Sequence, residues 1–130
     1  MQGDCHCGRV TWTPDTPPES VPACTCQICR RSGVLWAYGY IGHDIYISGE
    51  TTTYCRDDGG AIDFHFCTNC GCVTHYIATN PGDDGRHWTV VNLRLTEPET
   101  IAHLPIDHFD GLDSFDDLPR DGRCVVDMWF

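Results

Sequence analysis

A chain of 130 residues with 41% hydrophobic and 21% charged residues carries enough apolar material for a folded core, which excludes a disordered segment. Its 19 acidic residues against 8 Lys and Arg give a formal charge of -11, so no broad basic surface is available for phosphates and nucleic acid is not an expected partner. No apolar run has the length to cross a bilayer, and the opening MQGDCHCG lacks both the basic cluster and the apolar stretch of a secretion signal. The expectation is a cytoplasmic protein of one domain, residues 1–130, with no membrane partner. The acidic excess reads as solvated surface.

In chain order, Arg9 to Thr13 alternates with Val10 and Trp12 on one face, the signature of a short strand. Thr13 to Pro22 holds four prolines and is predicted as an extended loop. A single helical turn is the most that fits after Cys26. Val34 to Ile41 (VLWAYGYI) is aromatic and β-branched, and Ile45 to Ile47 and Thr51 to Arg56 read as further strands. Asp57 to Gly60 is a turn by composition. Ile62, Phe64 and Phe66 then alternate with Asp63 and His65 and run into Cys67, and Val73 to Ile77 leads away. Phe66 to Tyr76 is therefore predicted as a hairpin with cysteines at its tip. After a turn at Asn80 to Arg86, His87 to Leu95 is the longest strand candidate. A helical turn is allowed near Pro98 to Ala102, and Asp107 to Asp110 falls in a predicted loop. Val125 to Phe130 is expected to pack as a last strand or to sit in a partner's groove. The predicted class is all-β.

Ten cysteines are too many for background, and their spacing selects metal over disulfides. Cys5 and Cys7 form CxC, Cys24, Cys26 and Cys29 form CxCxxC, and Cys67 and Cys70 form CxxC. Two sulfurs from one tight turn reach a common ion at about 2.3 Å, but so close a pair is awkward for a structural disulfide. Soft thiolates favour zinc, with iron the main competitor. A CxC plus a CxxC supplies the four thiolates of a closed structural site. The CxCxxC cluster supplies three and leaves a position free for water or a thiol. Spacing alone leaves open which pairs share an ion. Cys55, Cys72 and Cys124 stand alone and are expected to be small buried hydrophobes, with Cys72 nearest to a candidate ligand.

The segments GDCHCGRV, CTCQICRRSG followed by LWAYGY, and YCRDDGGAIDFHFCTNCGC together resemble the glutathione-dependent formaldehyde-activating enzyme family, which includes the centromere protein V-like proteins. The resemblance runs from about Gly3 to Tyr76, with weaker support through His87 to Leu95. It implies an Mss4-like fold of several small antiparallel sheets with zinc-binding cysteine knuckles. It also implies two Zn2+ ions: a structural one on Cys5, Cys7, Cys67 and Cys70, and one with an open position on Cys24, Cys26 and Cys29. The activity implied is a carbon–sulfur lyase-class reaction that joins glutathione and formaldehyde as S-(hydroxymethyl)glutathione.

Arg30 and Arg31 follow Cys29 directly, and Arg30 is the candidate catalytic cation, placed to offset thiolate charge or to bind substrate carboxylates. For Arg31 the solvated reading is preferred. Trp36, Tyr38 and Tyr40 share one strand face and line either a pocket or the core. His65 and His75 flank the cysteine hairpin as candidate bases, although a satisfied structural role is more common there. The expected partner is a small-molecule thiol such as glutathione, and oligomeric assembly is left open. The competing function is a zinc-stabilised binding module without catalysis, which would fill the fourth position of the three-cysteine cluster with a protein ligand.

Overall fold

The computed structural model describes residues 1–57 and 59–129, the side chain of Trp129 excepted. Asp58 of the predicted Asp57–Gly60 turn and Phe130 of the predicted tail element lie outside the described residues. The elements run β1 (Gly3–Asp4), β2 (Thr11–Pro14), β3 (Val21–Cys24), α1 (Gln27–Ser32), β4 (Trp36–Tyr40), β5 (Ile45–Ser48), β6 (Thr51–Cys55), β7 (Ile62–Cys67), β8 (Val73–Ala78) and β9 (Trp88–Asn92). A 3-10 turn at Leu93–Leu95 follows, then α2 (Pro98–Ile101), β10 (Ile106–Phe109), β11 (Asp117–Leu118) and α3 (Val125–Trp129). Among the described residues no helix is long and apolar enough to cross a membrane.

The structure is mostly β, built from three small sheets. The largest has the order β4-β9-β8-β7-β6, and the others are β1-β2-β5 and β11-β10-β3. Successive residues of β4 and β9 serve opposite faces, as the period of two requires. Leu35, Ala37, Val91 and Leu93 join Trp12, Val21, Ile45, Ile101, Leu104, Ile106 and Val125 in one core. Val34, Trp36 and Val90 face the other way and pack with Phe64, Tyr76 and Cys29. The second core carries the three-cysteine segment on its surface. Trp36 and Phe64 are almost fully buried, and each contributes about 1.5–3 kcal/mol of transfer free energy.

Four features differ from the sequence expectation. Val21–Cys24 at the end of the proline-rich loop is a strand, paired in parallel with β10 from Ile106↔Val21 to Phe109↔Cys24. It lies at the sheet edge, where Pro22 needs no ladder donor on its outer side. The Asp107–Asp110 stretch is correspondingly a strand and a turn, and one pairing is parallel, so the sheets are not all antiparallel. The expected strand His87–Leu95 ends at Asn92. There the Asn92 side chain accepts from the Arg94 N–H and turns the chain into the 3-10 segment. The tail is a helix instead of a strand: the Asp127 carboxylate accepts the Cys124 N–H at 2.8 Å, half of a capping box, and Val125 is fully buried.

The two helical turns allowed by the sequence are present. Helix α1 is somewhat longer than one turn and stops at Gly33, whose φ of 62° is the left-handed conformation that glycine adopts without strain.

Candidate functional site: two thiolate clusters and a cleft

The β7–β8 hairpin presents Cys67 and Cys70 beside the turn between β1 and β2, which carries Cys5 and Cys7. All four sulfurs lie within 4.8 Å of one another. Cys5 Sγ to Cys7 Sγ and Cys7 Sγ to Cys67 Sγ are both 3.6 Å. A tetrahedron with metal–sulfur bonds near 2.3 Å has edges of about 3.8 Å, so the cluster has the dimensions of a four-thiolate site. Backbone N–H groups of Val10 and Asn69 donate to Cys5 Sγ (3.3 Å) and Cys67 Sγ (3.4 Å), the contacts that stabilise sulfur carrying negative charge. The Cys72 N–H and further N–H and thiol donors bring Cys70 down to about 5. Val10 packs against the group from inside, with Cys72 partly buried alongside it. Cys72 is close to the cluster without belonging to its four donors.

The second cluster forms where β3 ends and α1 begins. Cys24, Cys26 and Cys29 bring their sulfurs within 4.8 Å, and no fourth His, Cys, Asp or Glu joins them among the described residues. The Cys26 N–H donates to Cys24 Sγ at 3.4 Å, and the buried Trp36 indole donates to Cys29 Sγ at 3.3 Å. Burial pushes the Cys29 and Cys24 thiols up. Against the cost of its own burial, donors from Cys29, Cys24 and Ile28 hold Cys26 down. A cation arriving here displaces protons from two thiols that hold them tightly, so its binding depends on pH.

The C-terminal segment closes one side of this cluster. The Thr25 N–H bonds to Phe109 O at 3.1 Å, and the Thr25 hydroxyl reaches Asp110 at 3.3 Å. Gly111 is packed so tightly that a Cβ on it would sit 2.7 Å from Cys24 Sγ, 2.7 Å from the Cys26 Cβ and 2.9 Å from the Cys26 nitrogen. Sequence reading missed Gly111, because one glycine among thirteen carries no local mark of what it touches.

A cleft of about 610 Å³ opens beside the cluster, with Cys26, Gln27, Ile28, Arg31 and Gly111 next to it and Tyr54, Leu112, Phe115 and the charged Arg56 and Asp57 completing the lining. Arg31 lines this cleft, whereas Arg30 is exposed on α1 and is not part of the lining. Neither arginine takes part in an ion pair among the described residues. No cysteine of the four-thiolate cluster lines the cleft.

The other sequence candidates fall elsewhere. Trp36 is in the core, Tyr38 is stacked on Trp88 at 5.2 Å, and Arg86 lies over the Tyr40 ring at 4.0 Å. Tyr38 lines a second hollow with Asp107, His108 and Phe109. Burial first, then the neighbouring Cys24 thiol, pushes the Tyr38 hydroxyl up to about 12. His65 and His75 stack at 4.3 Å, and each Nδ1 is satisfied by a threonine hydroxyl, Thr51 at 2.8 Å and Thr74 at 2.9 Å. Both are structural partners of the hairpin and line neither cleft. Cys124 is half-buried. Cys55 is exposed instead of buried, because β6 is an edge strand whose end faces solvent, and its thiol bonds to Gly60 O at 3.3 Å.

A small, mostly β protein with one closed group of four thiols and a second group of three beside a cleft defines a class: a cysteine-rich fold that can hold two metal ions. The chain belongs to the glutathione-dependent formaldehyde-activating enzyme family, whose model matches residues 1–102. At the level of that family its function is formaldehyde activation linked to glutathione. Among solved structures it is similar to the crystal structure of a Rhodobacter sphaeroides protein, a structural-genomics target. The TM-score is 0.60 at 24% identity, covering 82% of this chain and 99% of that one, a likeness of fold. No curated protein sequence matches significantly. The family match stops before β10 and Gly111.

Proposed function

We propose that the chain is a zinc-dependent carbon–sulfur lyase-type enzyme resembling S-(hydroxymethyl)glutathione synthase. It would join a thiol such as glutathione to formaldehyde or a related small electrophile. The observation that carries the reading is the unequal pair of clusters: the four thiols line neither described cleft, whereas the three converge beside one that Cys26 lines. The sulfur spacing and N–H···S bonds suit zinc at both, with Cys5, Cys7, Cys67 and Cys70 as a structural set and Cys24, Cys26 and Cys29 as the reactive one. Cys24, Cys26 and Cys29 would hold the zinc, which would supply Lewis acidity that lowers the pKa of an incoming thiol toward neutral pH.

The chain's own groups do the rest. Arg31 is placed to take a carboxylate of the incoming thiol, and Arg30 adds a second positive charge on the same helix. The Trp36 indole holds Cys29 by its N–H and draws off part of the sulfur charge, which three thiolates would otherwise concentrate at the site. Gly111 keeps the backbone of the C-terminal segment against Cys24 and Cys26, covering one flank so that access is from the cleft. The net change is formation of one S–C bond and conversion of C=O to C–OH, with the thiol proton ending on oxygen. The competing binding-module reading requires a protein ligand in the fourth position, and no fourth donor is gathered among the described residues.

The test is exchange NMR of labelled formaldehyde and glutathione with metal-loaded protein. Acceleration over the uncatalysed reaction that disappears in Cys29→Ser supports the reading. In Arg31→Ala the half-saturating glutathione concentration should rise roughly threefold to tenfold, the scale of an exposed charge-assisted contact. A protein carrying two zinc ions that leaves the exchange rate unchanged would overturn it.

A further inference from the structure

Part of the cleft wall is an apolar patch, set beside the charged Arg56 and Asp57, and it is held open. Leu112 is 62% exposed, Phe115 67% and Tyr54 48%, and all three line the cleft with Ile28. Scattered apolar side chains on a surface are ordinary, but a group of them rimming a cleft marks a binding surface. Their exposure is built into the loop. The Asp110 carboxylate accepts the N–H groups of Leu112, Asp113 and Ser114 and the Ser114 hydroxyl, each at 3.1 Å. The Phe115 N–H bonds to Asp110 O at 2.8 Å, and the Asp110 N–H to Asp116 O at 2.9 Å. Among the described residues Phe115 is the one non-glycine with positive φ, 59°. A bulky residue in that conformation is disfavoured, and such strain persists where the surrounding structure imposes it, often at a ligand site. The same loop continues directly from Gly111, so the wall is fixed relative to the three cysteines.

Formaldehyde has no substituent that could occupy such a wall, and glutathione is polar and anionic. We propose that Leu112 and Phe115 are specificity-determining residues and that the electrophile of this chain is an aldehyde that carries an apolar substituent. The substituent lies among Leu112, Phe115 and Tyr54 while Arg31 takes a carboxylate of the thiol. This rests on the carbon–sulfur chemistry proposed above and names its substrate class. For an aldehyde R–CHO and a thiol R′–SH, the S–C bond forms as the carbonyl π bond breaks, the thiol proton ends on oxygen, and nothing is oxidised or reduced.

Stable thioethers report on the wall without turnover. S-benzylglutathione should bind the metal-loaded protein about tenfold more tightly than S-methylglutathione by calorimetry, the scale of a partly buried apolar group. In the Leu112→Ala/Phe115→Ala double variant that ratio should fall toward one, with metal content unchanged to show that the fold is kept. In the wild type, 3-phenylpropionate should shift the Leu112 methyl resonances. Equal affinity for the two thioethers would overturn the proposal while leaving the glutathione reading standing. Loss of both thioethers, with 3-phenylpropionate still shifting Leu112, would support the apolar wall and refute glutathione as the thiol. If 3-phenylpropionate leaves those methyls unmoved and S-benzylglutathione gains nothing, the wall is not a binding surface and the proposal falls.

Discussion

Replacing Gly111 with alanine probes whether the C-terminal segment is part of the three-cysteine site. The added methyl would lie 2.7 Å from Cys24 Sγ and 2.7 Å from Cys26 Cβ, where ordinary contacts are about 3.5–4.0 Å. Either the segment backs away by roughly 1 Å or the two cysteines do, and a metal site tolerates about half that displacement. Cys26 cannot yield freely, because its nitrogen already donates to Cys24 Sγ and its carbonyl accepts the Arg30 N–H. Disturbing groups that hold ligands in place commonly weakens a metal site by about 10–100-fold, or roughly 1.4–2.7 kcal/mol. Competition with a chromophoric chelator, followed by the cobalt(II)–thiolate absorption of the refilled protein, resolves two binding steps. In Gly111→Ala the weaker step should move by that factor while the step assigned to Cys5, Cys7, Cys67 and Cys70 stays fixed. Gly82→Ala is the control, since its methyl would meet nothing closer than 3.4 Å and its neighbours there are Asp84 and Arg86, not a clustered cysteine. If both steps in Gly111→Ala coincide with those of the wild type, the segment yields without moving the ligands and the reasoning fails.

Three further outcomes are expected. Cys67→Ser should lose the tighter ion and lower the melting temperature by more than about 10 °C, measured calorimetrically, because the four thiols tie the β1–β2 turn to the β7–β8 hairpin. Trp36→Phe removes the N–H donor to Cys29 and should weaken the three-cysteine site about fivefold in the same competition titration, with the other site unaffected. His75 is buried and held neutral, its folded value brought down to about 3 by burial and then by the neighbouring His65, against 6.5 ordinarily. The unfolded chain therefore binds a proton that the folded one refuses. Stability is complete above 6.5 and should fall with decreasing pH by up to about 1.4 kcal/mol per unit until the folded value is reached. In His75→Gln that part of the acid slope should vanish from denaturant titrations run between pH 7 and pH 5, and identical slopes in the two proteins would count against it.

Both cysteine clusters were legible because the CxC, CxxC and CxCxxC spacings are local: one turn brings two sulfurs together, and spacing records it. The β7–β8 hairpin was legible for the same reason, its alternation running straight into Cys67. The parallel pairing of Val21–Cys24 with Ile106–Phe109 left no such trace. Its partners are distant in sequence, its first strand contains Pro22, and its second holds Asp107 and His108 at half-buried positions. Gly111 and the apolar wall were hidden with it, because both are consequences of where β10 ends. The tail could have been read as a helix from Asp127 three residues after Cys124, a capping signal outweighed by the apolar residues around it. The arginine pair was recognised from its position after Cys29, but helix rotation, which assigns Arg31 to the cleft, acts over single residues and is not visible in composition.

The parallel pairing of β3 with β10 also sets an order of assembly. A polypeptide leaves the ribosome from its N-terminus, and all four thiols of the closed cluster are available once Cys70 has emerged. Cys24, Cys26 and Cys29 emerge earlier still, yet the strand that braces Cys24 and the glycine that packs against it arrive only after Phe109. The nascent chain can thus lock its scaffold while the three-thiol group stands without its flank, open to any soft metal or oxidant in the surroundings. The last fifth of the chain, from β10 onward, is what closes that vulnerable interval, and a ribosome paused shortly before Gly111 would hold it open.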